Sequence, residues 1–411
     1  MRKDLIIFTH GAPFVNGENA FLMPEIPLLA ERFERVVLVP NRLQANVAMP
    51  IMPLNVEVYD NAPIRNFNPR LGQLKSFFGF SWVREWSDFN SIMDFRHELL
   101  YIALVRDFKR RFWQVVRDLN LKLSSTLFYS FWFTEETSGL AEIAVDRPEL
   151  RFISRAHGYD LYDYRVNFRS RYYRELALDK SSGIYCCSKD GLSHLKEHYC
   201  GHGNALKVGY LGVRCSKTER NFQYARNPKL LKLVTVANLV SGKQICRFLK
   251  SLIVYSNARQ KMMISYDIIG EGAERDNIAL LCKTLPKNLK VTMWGLIPNT
   301  DVLRNYETKN YDLFVLPSAS EGLSVAIMEA MEHGIPALAT RVGGLGEVVE
   351  DGVTGYLINS NFRDAEVASC IDRFIAADIC QMRFAAMRRI RNNFECQKLR
   401  TEFANSLLEI T

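Results

Sequence analysis

The chain has 411 residues, 48% of them hydrophobic and 24% charged. That is ordinary globular composition, which excludes collagen-like, coiled-coil and disordered classes, and at roughly 150 residues per domain the length suits two to three domains. The formal charge of +8 is unevenly placed: residues 151–250 hold 19 Lys and Arg against 7 Asp and Glu, and the rest hold 34 against 38, so an anionic ligand or surface is drawn to the middle of the chain.

The longest uncharged stretch, residues 43–56, contains Pro50 and Pro53. It falls short of the about 20 apolar residues that a membrane helix needs. The start, Met1-Arg2-Lys3-Asp4, lacks a signal-peptide pattern, so export is not indicated. The 9 cysteines are odd in number and form no Cys-x-x-Cys pair, which favours a reducing cytoplasm over a secreted disulfide scaffold.

Short apolar runs rich in Val, Ile, Leu and Phe alternate with amphipathic stretches from end to end. In chain order the strand candidates are residues 5–9, 36–40, 126–130, 152–155, 183–186, 231–237, 266–270, 291–294, 313–316, 336–340 and 355–358. Continuous apolar runs of this length suit strands buried on both faces of a parallel sheet. Helical patterns fall between them, at 188–199, 244–255, 273–284, 323–333 and 365–377, with a last one at 397–410. The alternation implies an α/β protein of two doubly wound, Rossmann-like domains facing a cleft. The expected division is an N-terminal domain over 1–213, a polar basic linker over 214–229, a second domain over 230–392 and a C-terminal helical segment over 393–411 that can cross back to the first domain. Between residues 66 and 120 aromatic and basic residues mix and the strand rhythm is lost.

The segment from Tyr311 to Ile358 is the most informative. An apolar strand ends at Pro317-Ser318, and the loop Ala319-Ser320-Glu321-Gly322-Leu323-Ser324 then opens a helix that carries Glu329. Ligands of doubly wound sheets bind beyond the carboxyl ends of strands. A helix start offers free N–H groups and a positive dipole end to phosphate oxygens. Taken singly, Gly322 reads as a turn glycine, Glu321 as a first-turn acid and Glu329 as a surface residue. Their combination with Gly334-Ile335-Pro336 and Gly343-Gly344 is more specific.

That combination resembles the donor-site signature of family 4 glycosyltransferases, which have the GT-B fold. The run Glu321-Gly322-Leu323-Ser324-Val325-Ala326-Ile327-Met328-Glu329 carries it, and it continues through Gly343-Gly344-Leu345-Gly346-Glu347 and Asp351-Gly352-Val353-Thr354-Gly355. The resemblance implies a retaining sugar transfer from a nucleotide-sugar donor, with no cofactor and no metal. It places Glu321 near the transferred sugar, the N–H groups of Gly322, Leu323 and Ser324 on the diphosphate, and Glu329 on the ribose hydroxyls. Lys243 matches the family lysine that binds phosphate, whereas Asn238 stands where the family has an arginine. Gly270 and Gly272 match a strand-end loop of the donor site, and Leu296 lies in the loop that flanks the base. In the first half, Ser154-Arg155-Ala156-His157-Gly158-Tyr159-Asp160 resembles the element that brings a histidine to the donor sugar. His157, Glu321 and Lys243 are therefore the expected catalytic residues. The loop from Thr9 through Phe21 matches the family's N-terminal glycine loop more loosely, since its paired glycines are missing.

His194, His198, Cys200 and His202 are the one metal-like cluster in the sequence. The spacing fits a helix surface running into a loop better than a zinc site. No Asp-x-Asp motif occurs. The basic aromatic stretches 106–113 and 165–174 suit an anionic membrane surface, an anionic acceptor or solvated helix faces equally. No nucleic-acid motif is present. The expected partners are thus a nucleotide-sugar and a saccharide or lipid-linked saccharide acceptor, on family analogy in bacterial surface-polysaccharide synthesis at the inner face of the membrane. The rival readings are a non-catalytic binding protein of the same fold and an epimerase or phosphorylase. Fold alone does not choose among these.

Overall fold

The computed structural model describes residues 4–12, 18–42, 50–60, 92–165, 171–202, 205–216 and 227–410. The chain divides into two compact units, Met1–Tyr210 with Arg400–Thr411, and Leu211–Leu399. Most of the expected linker, residues 217–226, lies outside the described residues, as do residues 66–91 of the irregular stretch and residues 13–17 of the N-terminal loop.

The first unit holds a seven-stranded sheet built from β1 (Asp4–Thr9), β2 (Arg35–Pro40), β3 (Val56–Val58), β4 (Thr126–Ser130), β5 (Arg151–Ala156), β6 (Gly183–Cys186) and β7 (Leu206–Val208). Its order is β3-β2-β1-β4-β5-β6-β7, and every pairing is parallel. Successive side chains of a strand point to opposite faces, so β1 serves two cores. Ile6 and Phe8 pack with Phe108 and Phe112 of helix Ile92–Asp118. Leu5 and Ile7 share the other face with Phe403 and Leu407 from the end of the chain.

The second unit holds β8 (Leu230–Val236), β9 (Met263–Ile269), β10 (Leu289–Gly295), β11 (Leu313–Leu316), β12 (Ala337–Thr340) and β13 (Gly355–Ile358) in the order β10-β9-β8-β11-β12-β13, again all parallel. Helices Ile245–Ala258 and Asp364–Ala376 cover one face, with Phe248, Leu252 and Phe374 in the core.

Each apolar run read from the sequence is a strand. Two further strands, β3 and β7, escape that reading. Both are three residues long at sheet edges, and each alternates an apolar residue with a charged one (Val-Glu-Val, Leu-Lys-Val), too short to show a period. The irregular stretch before residue 120 contains helix Ile92–Asp118. Its basic residues are largely engaged: Lys109 pairs with Glu142 at 2.9 Å, Arg110 with Asp107 at 2.6 Å, and the buried Arg111 donates to Asn41 Oδ1 at 2.7 Å. In the second basic stretch, residues 166–170 lie outside the described residues and Arg174 is buried.

Candidate functional site

In a doubly wound sheet the two loops that leave the point of strand-order reversal diverge, one to each face, and leave a crevice at the carboxyl edge. The second sheet reverses between β8 and β11, so its crevice lies between the loop after β8 and the loop after β11. These loops carry Asn238 and Lys243, and Ser318 to Ser324, respectively. The Ala319 N–H donates to the Gly242 carbonyl at 2.7 Å, and the Lys243 ammonium meets the Glu321 carboxylate in an ion pair across the crevice. Ser318 Oγ donates to the same Glu321 oxygen at 2.8 Å. Thr340, at the end of β12, holds the Ser318 carbonyl at 2.5 Å, and the Gly344 N–H donates to the Gly322 carbonyl at 2.7 Å. Three strand-end loops thus fix the position of Glu321.

Helix Val325–Glu332 starts immediately after this loop, with Ser324 as its cap: Ser324 Oγ accepts from the Ile327 N–H at 3.4 Å. The amides of Gly322, Leu323 and Ser324 find no acceptor among the described residues. Unsatisfied N–H groups at a helix start are donors for an anion.

Glu329 lies one turn into that helix and accepts from Asn299 Nδ2 at 2.9 Å. Asn299 opens helix Asn299–Thr308, directly after Pro298. Sequence reading missed it, although a proline just before a helical run is a start signal. Burial pushes the Glu329 carboxyl up to about 7 from its ordinary 4.5. Between those values the folded protein holds a proton that the unfolded chain has released, so stability falls as pH rises through this window. Glu329→Gln is therefore expected to stabilise the protein by about 3 kcal/mol at pH 8 and to leave it unchanged at pH 4. Urea unfolding at the two pH values measures this, and equal gains at both would contradict it.

Gly270 and Gly272 follow β9 with φ of +139° and +153°. A Cβ on Gly270 would lie 1.9 Å from the Ala237 carbonyl oxygen, and one on Gly272 would lie 2.4 Å from that of Leu239. Only glycine allows this loop to lie against the loop that leads to Lys243, so both glycines shape the crevice through their backbone. Asn238 is exposed in the loop after β8. Leu296 is exposed after β10, an edge strand two places from β8. The structure therefore joins Lys243, Glu321 and residues 322–324 in one cluster, puts Glu329 one turn behind it, and leaves Asn238 and Leu296 without a side-chain partner to that cluster among the described residues.

His157 belongs to the first unit, at the end of β5. It is buried among Trp132, Phe131 and Phe21, with ring centroids 4.4, 5.0 and 6.4 Å away. The N-terminal loop is held by Glu18, whose buried carboxylate accepts from the His10 N–H at 2.6 Å, the Gly11 N–H at 3.2 Å and Trp132 Nε1 at 2.9 Å. Burial raises the Glu18 pKa despite these donors.

In the metal-like cluster the His194 and His198 rings lie 4.0 Å apart, but the ring nitrogens face separate carboxylates and carbonyls. His194 Nε2 lies 3.4 Å from Asp163, His202 Nδ1 lies 2.8 Å from Asp179, and His198 Nδ1 lies 2.9 Å from the His194 carbonyl. No group of three or more His, Cys, Asp or Glu is placed to hold a metal among the described residues. Nor is any helix among them long and apolar enough to cross a membrane.

Residues 216–392 match the family model described as Glycosyl transferases group 1. The chain is 27% identical over 221 residues to WcaL of Salmonella typhimurium, a protein assigned provisionally to colanic acid biosynthesis as a glycosyltransferase; the match covers 50% of this chain and 51% of WcaL. The chain thus spans about half the length of that relative. Among solved structures, sucrose-phosphate synthase from Thermosynechococcus elongatus superposes with a TM-score of 0.71 at 15% identity, over 100% of this chain and 99% of that one. Anabaena HepE, solved in complex with UDP, gives 0.62 at 17% identity, over 99% of this chain and 100% of its own. Residues 216–392 thus carry the sequence pattern of the group 1 glycosyl transferases, in a chain of two parallel-sheet units with the fold of the GT-B glycosyltransferases.

Proposed function

We propose that this chain is a retaining, metal-independent glycosyltransferase that moves a sugar from a nucleotide-sugar donor to a saccharide acceptor. The observation that carries the reading is the meeting of Lys243 and Glu321 at the strand-order reversal of the second sheet, beside the free amides of residues 322–324. A nucleoside diphosphate departs with the electron pair of the anomeric C–O bond and so gains a third negative charge, and an enzyme speeds its departure by holding donors where that charge develops. The three amides and the Lys243 ammonium supply those donors, and the ammonium turns from Glu321 to the phosphate when the donor binds. Glu329 accepts from the ribose hydroxyls, and its raised pKa lowers the cost of burying it. Glu321 faces the transferred sugar. His157 enters through the resemblance alone, as a contact to a hydroxyl of that sugar. Much of the catalysis is then orientation of the acceptor hydroxyl against the anomeric carbon.

HepE was solved with UDP, which makes a uridine nucleotide the first donor to try. WcaL is assigned to colanic acid biosynthesis, which supports an acceptor in surface-polysaccharide synthesis, free or lipid-linked, with the enzyme cytoplasmic and in peripheral contact with the membrane.

A thermal-shift screen with nucleoside diphosphates and their sugars tests the reading. One nucleotide at about 100 times its Kd is expected to stabilise the second unit by roughly 2.7 kcal/mol, a rise of about 5 to 10 °C in Tm. Magnesium chelation is expected to leave that shift and the transfer rate unchanged. No shift with any nucleotide, or response to inorganic phosphate alone, would favour a phosphorylase instead.

A further inference from the structure

Four lysines stand together at the amino edge of the second sheet. Lys229 immediately precedes β8, Lys261 comes two residues before β9, Lys287 two residues before β10, and Lys290 lies in β10 itself. All four are exposed, and none of their ammonium groups has a carboxylate partner among the described residues. The three strands are neighbours in the order β10-β9-β8. Leu230 pairs with Met263 and Leu289 with Ile264, so the residues ahead of each strand emerge side by side. The Met263 N–H donates to the Lys229 carbonyl at 2.9 Å, and the Ile264 N–H to the Asn288 carbonyl at 2.8 Å. The buried Asn288 then staples the loop before β10 to the loop before β9: its amide nitrogen lies 3.0, 3.3 and 2.9 Å from the carbonyl oxygens of Ser256, Arg259 and Met262.

Two more cations of this edge have a role within the fold. Arg259 and Lys283 stand at the carboxyl ends of helices Ile245–Ala258 and Arg275–Cys282, where a cation is favoured without any ligand, and Arg259 pairs with Asp372 at 2.7 Å. The other four lie outside both helices. Residues 227–229, 259–263 and 283–290 contain no Asp or Glu; Glu271, Glu274 and Asp276 follow the opposite, carboxyl end of β9. Neighbouring strands are about 4.8 Å apart, so the row falls within about one screening length and acts on an anion as a single patch. All four are lysines, compact hydrated charges suited to a diffuse anionic surface rather than to paired hydrogen bonds. Met263, 47% exposed, adds an apolar side chain among them. In contrast, Lys109, Arg110, Arg111 and Arg174 of the two basic aromatic stretches are paired or buried. We infer that this edge is a docking surface for an anionic lipid bilayer. The inference rests on the peripheral membrane contact proposed above and gives it a place; sugar transfer is tested separately.

Co-sedimentation of the full chain with vesicles tests this, using phosphatidylcholine alone and phosphatidylcholine mixed with phosphatidylglycerol in equal parts. The protein is expected to bind only the mixed vesicles at about 0.1 M salt and to leave them at about 1 M, where the screening length falls to about 3 Å. The triple variant Lys261→Ala, Lys287→Ala, Lys290→Ala should bind about 100-fold more weakly, about fivefold for each lysine. Lys122→Ala, Lys180→Ala, Lys196→Ala removes the same charge from exposed positions of the first unit and should bind like the wild type. Wild-type protein that ignores the mixed vesicles would overturn the inference, as would equal losses in the two triple variants. Binding of poly-L-glutamate through the same lysines, with vesicles ignored, would assign the edge to an acidic protein instead. The thermal shift with uridine diphosphate reads the crevice at the opposite edge of the sheet and should be the same in all three proteins. Its absence from all three, with vesicle binding intact, counts against the proposed transferase and leaves this surface standing.

Discussion

Lys243→Ala is expected to lower the transfer rate roughly 100- to 1000-fold, the usual consequence of removing one donor from a site of developing negative charge. Glu321→Gln is expected to lower kcat by a similar factor, yet the two should differ in binding. Lys243 and Glu321 form an ion pair in which both side chains are mostly buried. Removing Lys243 leaves the Glu321 carboxylate facing the incoming diphosphate without a counter-charge, so donor affinity and rate fall together. Removing the charge of Glu321 frees the ammonium for phosphate, so nucleotide diphosphate binds as tightly as before or tighter while turnover is lost. Calorimetry with the nucleotide diphosphate and steady-state kinetics with its sugar separate the two effects. Unchanged kcat in both variants would remove the basis of the proposed function. Asn238 gives a related expectation: an arginine at this exposed position adds a charge to the loop that carries Lys243 and should tighten diphosphate binding.

Glu25→Gln is expected to destabilise the first unit by about 3 to 5 kcal/mol, the cost of leaving a buried guanidinium without its counter-charge. Arg155 projects from β5 and is completely buried, pairs with the buried Glu25 at 2.5 Å, and lies under the Phe403 ring with 4.0 Å to its centroid. Its Nε and Nη2, and Glu25 Oε2, have no partner among the described residues, so the pair is incompletely satisfied. Such pairs contribute little net stability against an apolar replacement of similar volume. The double variant Glu25→Leu with Arg155→Met should thus recover most of the loss. Each kcal/mol shifts Tm by about 2 to 4 °C in a unit of this size, so the single variant should melt on the order of 10 °C lower. Equal stability of the single and double variants would show that the two side chains do not interact.

The strands and the loop-and-helix motif that carries Glu321 and Glu329 were legible because both are local. A run such as Leu313-Phe314-Val315-Leu316 is apolar at every position, and only a strand covered on both faces buries it fully. Glu321 and Glu329 are eight residues apart, with a helix start between them, and that spacing is readable without a fold. The edge strands β3 and β7 were not legible, since three residues show no period. Helix Ile92–Asp118 was obscured because Phe108, Phe112 and Arg111 all face inward, a pattern in which basic and apolar residues share the buried side.

What the sequence alone determined is the alternation of strands and helices, hence parallel doubly wound sheets, and the chemistry available at their carboxyl ends. Strand order was left to the tertiary structure, because pairing joins residues far apart in the chain: Lys243 and Glu321 are 78 residues apart and touch because β8 and β11 are neighbours. The same holds for Asp160, Phe133 and His157, for Asn299 against Glu329, and for Arg155 with Glu25 and Phe403. Periodicity reports which face of an element is buried; which partner covers that face depends on long-range packing.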